Sequence, residues 1–105
     1  MVSILIPTYN YNTFPLVKNI HNQLENMDII YEILVFDDCS TNVIPENKKI
    51  NSLKNVEYVV LKKNIGRSAI RNLLAQKAIY SRLLFLDADV MPLSLNFIEK
   101  YRKHI

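Results

Sequence analysis

Four apolar runs punctuate the chain, at residues 2–6, 31–36, 56–61 and 83–86, and each gives way to polar or turn-forming residues. All four are short and rich in Val, Ile, Leu or aromatics, which predicts strands. They are nearly continuous rather than alternating, the pattern of a parallel sheet covered on both faces. Helical stripes lie between them. Val17, Ile20, Leu24 and Met27 repeat at helical spacing, and Ile70, Leu73, Leu74, Ala78 and Ile79 do so after Gly66, with Ser68 near the expected cap. Residues 44–53 read as a short helix or irregular crossover following Pro45, and residues 95–101 as the start of a last helix after Pro92. Strand–helix alternation of this kind predicts an α/β fold: a Rossmann-like three-layer sandwich with a mostly parallel sheet of about four strands and right-handed crossovers.

Ligands of such sheets bind beyond the carboxyl ends of the strands, near the point where strand order reverses. The residues after each run are therefore the informative ones. Pro7-Thr8-Tyr9-Asn10 follows the first. Pro7 stiffens the exit from the sheet, and Tyr9 can stack on a flat ring or simply be a surface aromatic in a turn. Asp37-Asp38-Cys39-Ser40 follows the second. Adjacent carboxylates on an extended chain point to opposite sides, so at most one faces a crevice squarely. Such a carboxylate can accept from an imide N–H or a ribose hydroxyl; equally, one can cap the next segment while the other is solvated. Cys39 reads as a small packing residue.

Lys62-Lys63-Asn64-Ile65-Gly66-Arg67 follows the third run. Gly66, the only glycine in the chain, can take a positive φ, and Asn64 tolerates one. Arg67 and Arg71 share a helical face, where they can meet phosphate oxygens or form a solvated basic surface. Asp87-Ala88-Asp89 follows the fourth. A spacing of two puts both carboxylates on one side of an extended chain. Their mutual repulsion is relieved most simply by a divalent cation, and hard oxygen ligands suit Mg²⁺ or Mn²⁺, which also bridge diphosphate oxygens. His21 and His104 have no partner at ligand spacing and are expected at the surface.

Composition narrows the setting. The chain has 105 residues, enough for one core, with half of them hydrophobic and 22% charged, an ordinary globular balance. The net charge of +3 is compatible with an anionic ligand such as a phosphate or with an acidic membrane surface, and no nucleic-acid partner is expected. The lone Cys39 excludes an internal disulfide and fits a reducing compartment. No run approaches the length of a membrane span, and residues 2–7 are too short for a signal peptide. A cytoplasmic location is expected, with membrane association of a longer parent left open.

Taken in order, VSILIPTYN, EILVFDDCS, NIGRSAIRN and FLDAD make the chain resemble the N-terminal, nucleotide-sugar-binding half of a family 2 glycosyltransferase of the GT-A fold. The resemblance covers residues 2–90, and it implies a donor site for a nucleoside diphosphate sugar, often a UDP-sugar. Pro7, Thr8 and Tyr9 would line the base pocket and Asp38 would contact the base. Gly66 and Arg71 would lie near the donor. Asp87 and Asp89 would form the metal motif with Mn²⁺ or Mg²⁺, Asp89 being the stronger candidate for direct ligation. The metal would act as a Lewis acid on the departing nucleoside diphosphate, and transfer to an unknown saccharide or other acceptor would proceed with inversion. In this family the base that deprotonates the acceptor lies further along, so none is assignable here and the acceptor half is expected to be absent. Tyr80-Ser81 stands where such sequences often carry a glycine.

Three other readings stand beside this one. A non-catalytic nucleotide-binding module would share the same pocket. A receiver domain would have acids after its first and third strands, not the second and fourth. A nucleotidylyltransferase would have a glycine-rich loop after the first. Without further strands beside it, the run at 83–86 would present an apolar edge, which predicts dimerisation through that edge.

Overall fold

A computed structural model describes residues 1–89 of the chain. The helix expected at 95–101, and His104, lie outside the described residues. Four strands, β1 (Val2–Thr8), β2 (Tyr31–Asp37), β3 (Val56–Val60) and β4 (Leu83–Phe85), alternate with α1 (Phe14–Glu25), a 3₁₀ helix (Pro45–Ser52) and α2 (Arg67–Lys77). All described pairings are parallel, in the order β3-β2-β1-β4. The chain steps outward from β1 to β3 and then returns to the far side of β1. Strand order therefore reverses between β1 and β4.

The alternation of side chains along β1 and β2 builds both faces. Val2, Ile4 and Ile6, with Tyr31, Ile33 and Val35, face Leu16, Val17, Ile20 and Leu24 of α1 and Ile50 of the 3₁₀ helix. Leu5, Leu34 and Phe36 face the other way, onto Ile70 and Leu74 of α2. Two-sided burial is the reason the runs of β1 and β2 read as continuous, whereas β3 and β4 are only partly covered and leave Val60 and Leu83 exposed. Ile20 and Leu24 are wholly buried, and truncating either to Ala removes packing worth about 2–5 kcal/mol.

The observed elements differ from the sequence expectations in several places, among them Ile79, which lies past the end of α2 and is exposed rather than part of its apolar stripe. Asp37 is the last residue of β2 rather than the first residue beyond it, and Thr8 closes β1. β4 is shorter than its apolar run, and Leu86 is buried past its end. Met27 falls two residues beyond α1 yet still packs on the core. His21 is not a surface residue. Its side chain is 12% exposed, its ring meets Tyr31 edge-on at 6.3 Å, and Glu25 Oε1 lies 3.5 Å from Nε2 without a hydrogen bond. The stripe of α1 is wide enough to carry it inward.

Pro7 fits inside a strand because of where the neighbouring strand stops. The Ser3 N–H donates to the Arg82 carbonyl and Leu86 N–H to the Leu5 carbonyl, so odd-numbered β1 residues face β4. Residue 7 is the next in that series, and β4 has already ended at Phe85. A missing N–H at position 7 leaves no ladder bond unmade. It also lets β1 and β4 part at their carboxyl ends.

Candidate functional site

A crevice of about 520 Å³ opens where β1 and β4 part, within the usual range for a small-molecule site. Its lining comes from four exits. The end of β1 gives Pro7, Thr8, Tyr9 and Tyr11; the end of β2 gives Asp38; the turn into α2 gives Asn64, Gly66, Arg67 and Ile70; and the end of β4 gives Asp87, Ala88 and Asp89. Seven of the eight residues singled out in the sequence thus meet in one place. Arg71 does not. Its guanidinium lies 4.4 Å from the centre of the Phe85 ring, a cation–π contact. Because α2 rises about 1.5 Å per residue, a side chain one turn further along sits too deep, and Arg67 at the first helical position is the one that reaches the crevice.

The two aspartates at the end of β2 part company because successive residues face opposite sides. Asp37, on the α1 side, is 3% exposed. It accepts from the Ser40 N–H at 2.8 Å, from Ser40 Oγ at 2.6 and 2.8 Å, and from the Tyr58 hydroxyl at 2.9 Å. Burial, together with the Asp37 carboxylate, pushes the Tyr58 hydroxyl up to about 12. The Asp37–Ser40 loop closes through Cys39, which takes φ 61, a left-handed conformation that a non-glycine residue adopts only when its surroundings impose it. Cys39 is half-buried and free.

Asp38 faces α2 and is clamped differently. Its Oδ1 accepts from the Ile65 N–H at 2.7 Å and its Oδ2 from the Gly66 N–H at 3.0 Å, while Asn64 Nδ2 donates to its carbonyl at 3.0 Å. The carboxylate therefore fixes the turn that launches α2. Gly66 holds that turn at φ 89, and a Cβ there would meet nothing within 4 Å, so glycine is required by conformation and not by space. Asn64 keeps an ordinary backbone and contributes through its side chain.

Asp87 follows β4 outside regular structure and Asp89 lies in a turn, not on the extended chain that the spacing suggested. Ala88 packs against the core between them, and both acids still line the crevice. Asp87 meets Arg67 Nη2 at 3.2 and 3.4 Å in a largely exposed pair, which is a weak contact. Asp89 is exposed and has no hydrogen bond to any of the described residues. Among these residues no group of three or more His, Cys, Asp or Glu could enclose a metal. Two carboxylates beside an open crevice nonetheless fit Mg²⁺ or Mn²⁺, which take one or two carboxylates and complete their coordination with phosphate oxygens and water.

Tyr11 escaped the sequence reading. Its spacing of two from Tyr9 across Asn10 was the available signal, since both rings then leave the same loop. Tyr9 and Tyr11 are 46% and 40% exposed.

Comparison with known proteins bears on the family and the fold. The model of the family described as Glycosyl transferase family 2 matches residues 3–104. An uncharacterized glycosyltransferase of Rickettsia felis is 38% identical over 89 residues, covering 84% of this chain and 14% of its own. A chondroitin synthase of Escherichia coli is 36% identical over 96 residues, covering 87% and 14%. Across such relatives the chain spans from 14% to 36% of their length. Among solved structures, S. aureus TarS 1–349 in complex with UDP-GlcNAc superposes with a TM-score of 0.67 at 27% identity, over 97% of this chain and 30% of that one. The mannosyltransferase PcManGT of Pyrobaculum calidifontis, in complex with GDP-Man and Mn²⁺, has the same fold, with a TM-score of 0.71 at 21% identity over 97% and 31%.

Proposed function

The chain belongs to glycosyl transferase family 2, and on that premise we propose that its crevice takes the nucleoside diphosphate part of a nucleotide-sugar donor, with UDP-sugars as the expected class. The observation that carries the proposal is the meeting of Tyr9, Asp38, Gly66, Asp87 and Asp89 in one crevice at the point where strand order reverses. TarS, with UDP-GlcNAc bound, supports the choice of donor.

In this reading Tyr9 offers its exposed ring to the base. Asp38 spends two of its roughly four lone-pair positions on the Ile65 and Gly66 amides and keeps the others for a base or ribose donor. Asp87 and Asp89 would hold Mn²⁺ or Mg²⁺, and Arg67, paired with Asp87 on the same crevice, would meet the diphosphate. A bound divalent cation supplies Lewis-acid stabilisation to the diphosphate as it leaves. Arg71, over Phe85, supports the wall through packing. The sugar passes to an acceptor, with inversion at the anomeric carbon, in the complete enzyme. The described residues include no assignable base for the acceptor hydroxyl.

Two further features belong to the proposal. β4 has a described neighbour on one side only, and we expect the isolated chain to self-associate there; light scattering showing a monomer across the micromolar range would remove that expectation. The single free Cys39 supports a cytoplasmic setting, and no helix among the described residues is long and apolar enough to cross a membrane.

Calorimetry with UDP, with and without Mn²⁺, tests the proposal on the wild-type chain and on Asp89→Ala. Binding should depend on the metal and weaken on substitution. Tight binding that ignores both would remove the metal assignment. Assaying donor hydrolysis and transfer, in this chain and in any longer parent, separates a catalytic domain from a module that only binds nucleotide.

A further inference from the structure

The loop between β1 and α1 carries Tyr9 and Tyr11 to the crevice, and its path is fixed from beneath by a residue 34 positions away. Asn47, in the 3₁₀ helix, is 2% exposed. Its Oδ1 accepts from the Thr13 N–H at 2.9 Å and its Nδ2 donates to the Tyr11 carbonyl at 2.8 Å. The Thr13 hydroxyl donates to the same carbonyl at 3.2 Å, so the 2.6 Å contact between Thr8 and Thr13 must have Thr8 as its donor. On the outer side, Asn10 is tied to the β2 loop. Its N–H donates to Ser40 Oγ at 2.8 Å, its Nδ2 to Thr41 Oγ1 at 3.0 Å, and its Oδ1 accepts from the Asn42 N–H at 3.0 Å.

The carbonyl of Tyr11 is thus held twice, while the residue as a whole is 40% exposed and lines the crevice. An ordered backbone under an exposed aromatic is the arrangement expected of a recognition residue, because ligand binding then orders little more than one side chain. A buried amide with both ends satisfied is also intolerant of change, since either loss leaves a buried group unpaired.

We infer that Asn47 is a positioning residue of the crevice, acting through Tyr11, and that Tyr11 sets the preference for a nucleoside-bearing ligand over bare diphosphate. The inference rests on the donor-site reading above. Asn47 touches no ligand; it determines where the Tyr11 ring can stand. The diphosphate end of the crevice, with Asp87, Asp89 and Arg67, belongs to other elements and should be indifferent to Asn47.

The test is calorimetry with UDP and with inorganic pyrophosphate, each with Mn²⁺, on the wild-type chain, Asn47→Asp, Tyr11→Ala and the double variant. Asn47→Asp is nearly isosteric. It can still accept from Thr13 but sets a carboxylate oxygen against the Tyr11 carbonyl. It should weaken UDP about tenfold, the scale of one lost hydrogen bond, and leave pyrophosphate within about twofold. Tyr11→Ala should do the same, and in that background the further effect of Asn47→Asp should fall below about twofold. Equal losses for UDP and pyrophosphate, or an undiminished Asn47 effect without Tyr11, would show Asn47 merely holding the fold together. Should Asn47→Asp fail to fold, Tyr11→Ala still decides, because that ring is exposed: unchanged UDP affinity overturns the inference. Wild-type binding of UDP with neither substitution mattering leaves the donor site standing and removes this inference alone. Wild-type binding of neither ligand removes both.

Discussion

Asp37 and Asp38 leave β2 with every carboxylate oxygen engaged by a donor from the protein, whereas among the described residues Asp87 and Asp89 leave β4 with only the exposed Arg67 pair between them. The two acidic pairs stand at the same end of the same sheet and line or border the same crevice. Their neighbours differ. β2 lies between β1 and β3, and its own following loop, β3 and the turn after β3 supply the N–H and hydroxyl donors. β4 has one described neighbour, and its acids line the crevice. A carboxylate's role is thus set by how many of its lone pairs the fold has already taken. Asp37 is architectural, Asp38 is architectural with capacity to spare, and the β4 pair is the one the proposed function assigns to a ligand.

The largest expected effect is on stability, at Asp38. Asp38→Ala removes two charge-assisted bonds and strands the Ile65 and Gly66 amides, so urea unfolding should show a loss of about 3 kcal/mol. A loss below about 1 kcal/mol would mean the clamp is ornamental and the contrast between the pairs is false. Gly66→Ala should cost about 2 kcal/mol from backbone conformation alone, since no atom obstructs the new methyl. If the Asp38 carboxylate is what imposes φ 89, the double variant should lose less than the sum of the two.

A smaller effect separates Asp37 from the β4 pair. Tyr58→Phe deletes one of its donors and should cost about 1 kcal/mol at neutral pH. The hydroxyl's value in the folded chain, about 12, lies above the ordinary 10. The folded state therefore keeps a proton that the unfolded chain gives up, and this part of the stability is whole below pH 10 and is lost as pH climbs towards 12. Tyr31, raised by its own burial and by Glu25, adds to the same alkaline decline. Thermal melts from pH 9 to 12 should be less steep in pH for Tyr58→Phe than for wild type. The smallest expected effect is on the other pair: Asp89→Ala should stay within about 0.5 kcal/mol of wild-type stability, because nothing described depends on it.

Strand count, the parallel sheet and the convergence of four strand exits were legible because apolar continuity and strand-end chemistry are local signals. Asp38, Asp87 and Asp89 could be placed at strand ends for the same reason. What the sequence hid depended on distance along the chain. That Asp38 is bound by amides 27 and 28 residues later cannot be read from capping preferences near residue 38. Arg67 and Arg71 share a helical face, yet one meets Asp87 and the other lies over Phe85, one turn further along α2. Asn47 sits in a polar crossover with no periodicity to mark it as buried. His21 was misjudged because the helical stripe was drawn too narrow.

The claim that Asp87 and Asp89 are the open, metal-receiving pair can be tested most directly with Mn²⁺ itself. Nuclear magnetic resonance of the chain with UDP and substoichiometric Mn²⁺ would report which backbone amides the paramagnetic ion broadens. The account predicts loss of signal first at 87–89, then at 64–67 and 8–11 around the crevice, with residues 55–57 spared. Broadening centred on Glu32 and Glu57, which line a separate hollow of about 310 Å³ nearer the amino ends of β2 and β3, with 87–89 unaffected, would contradict it.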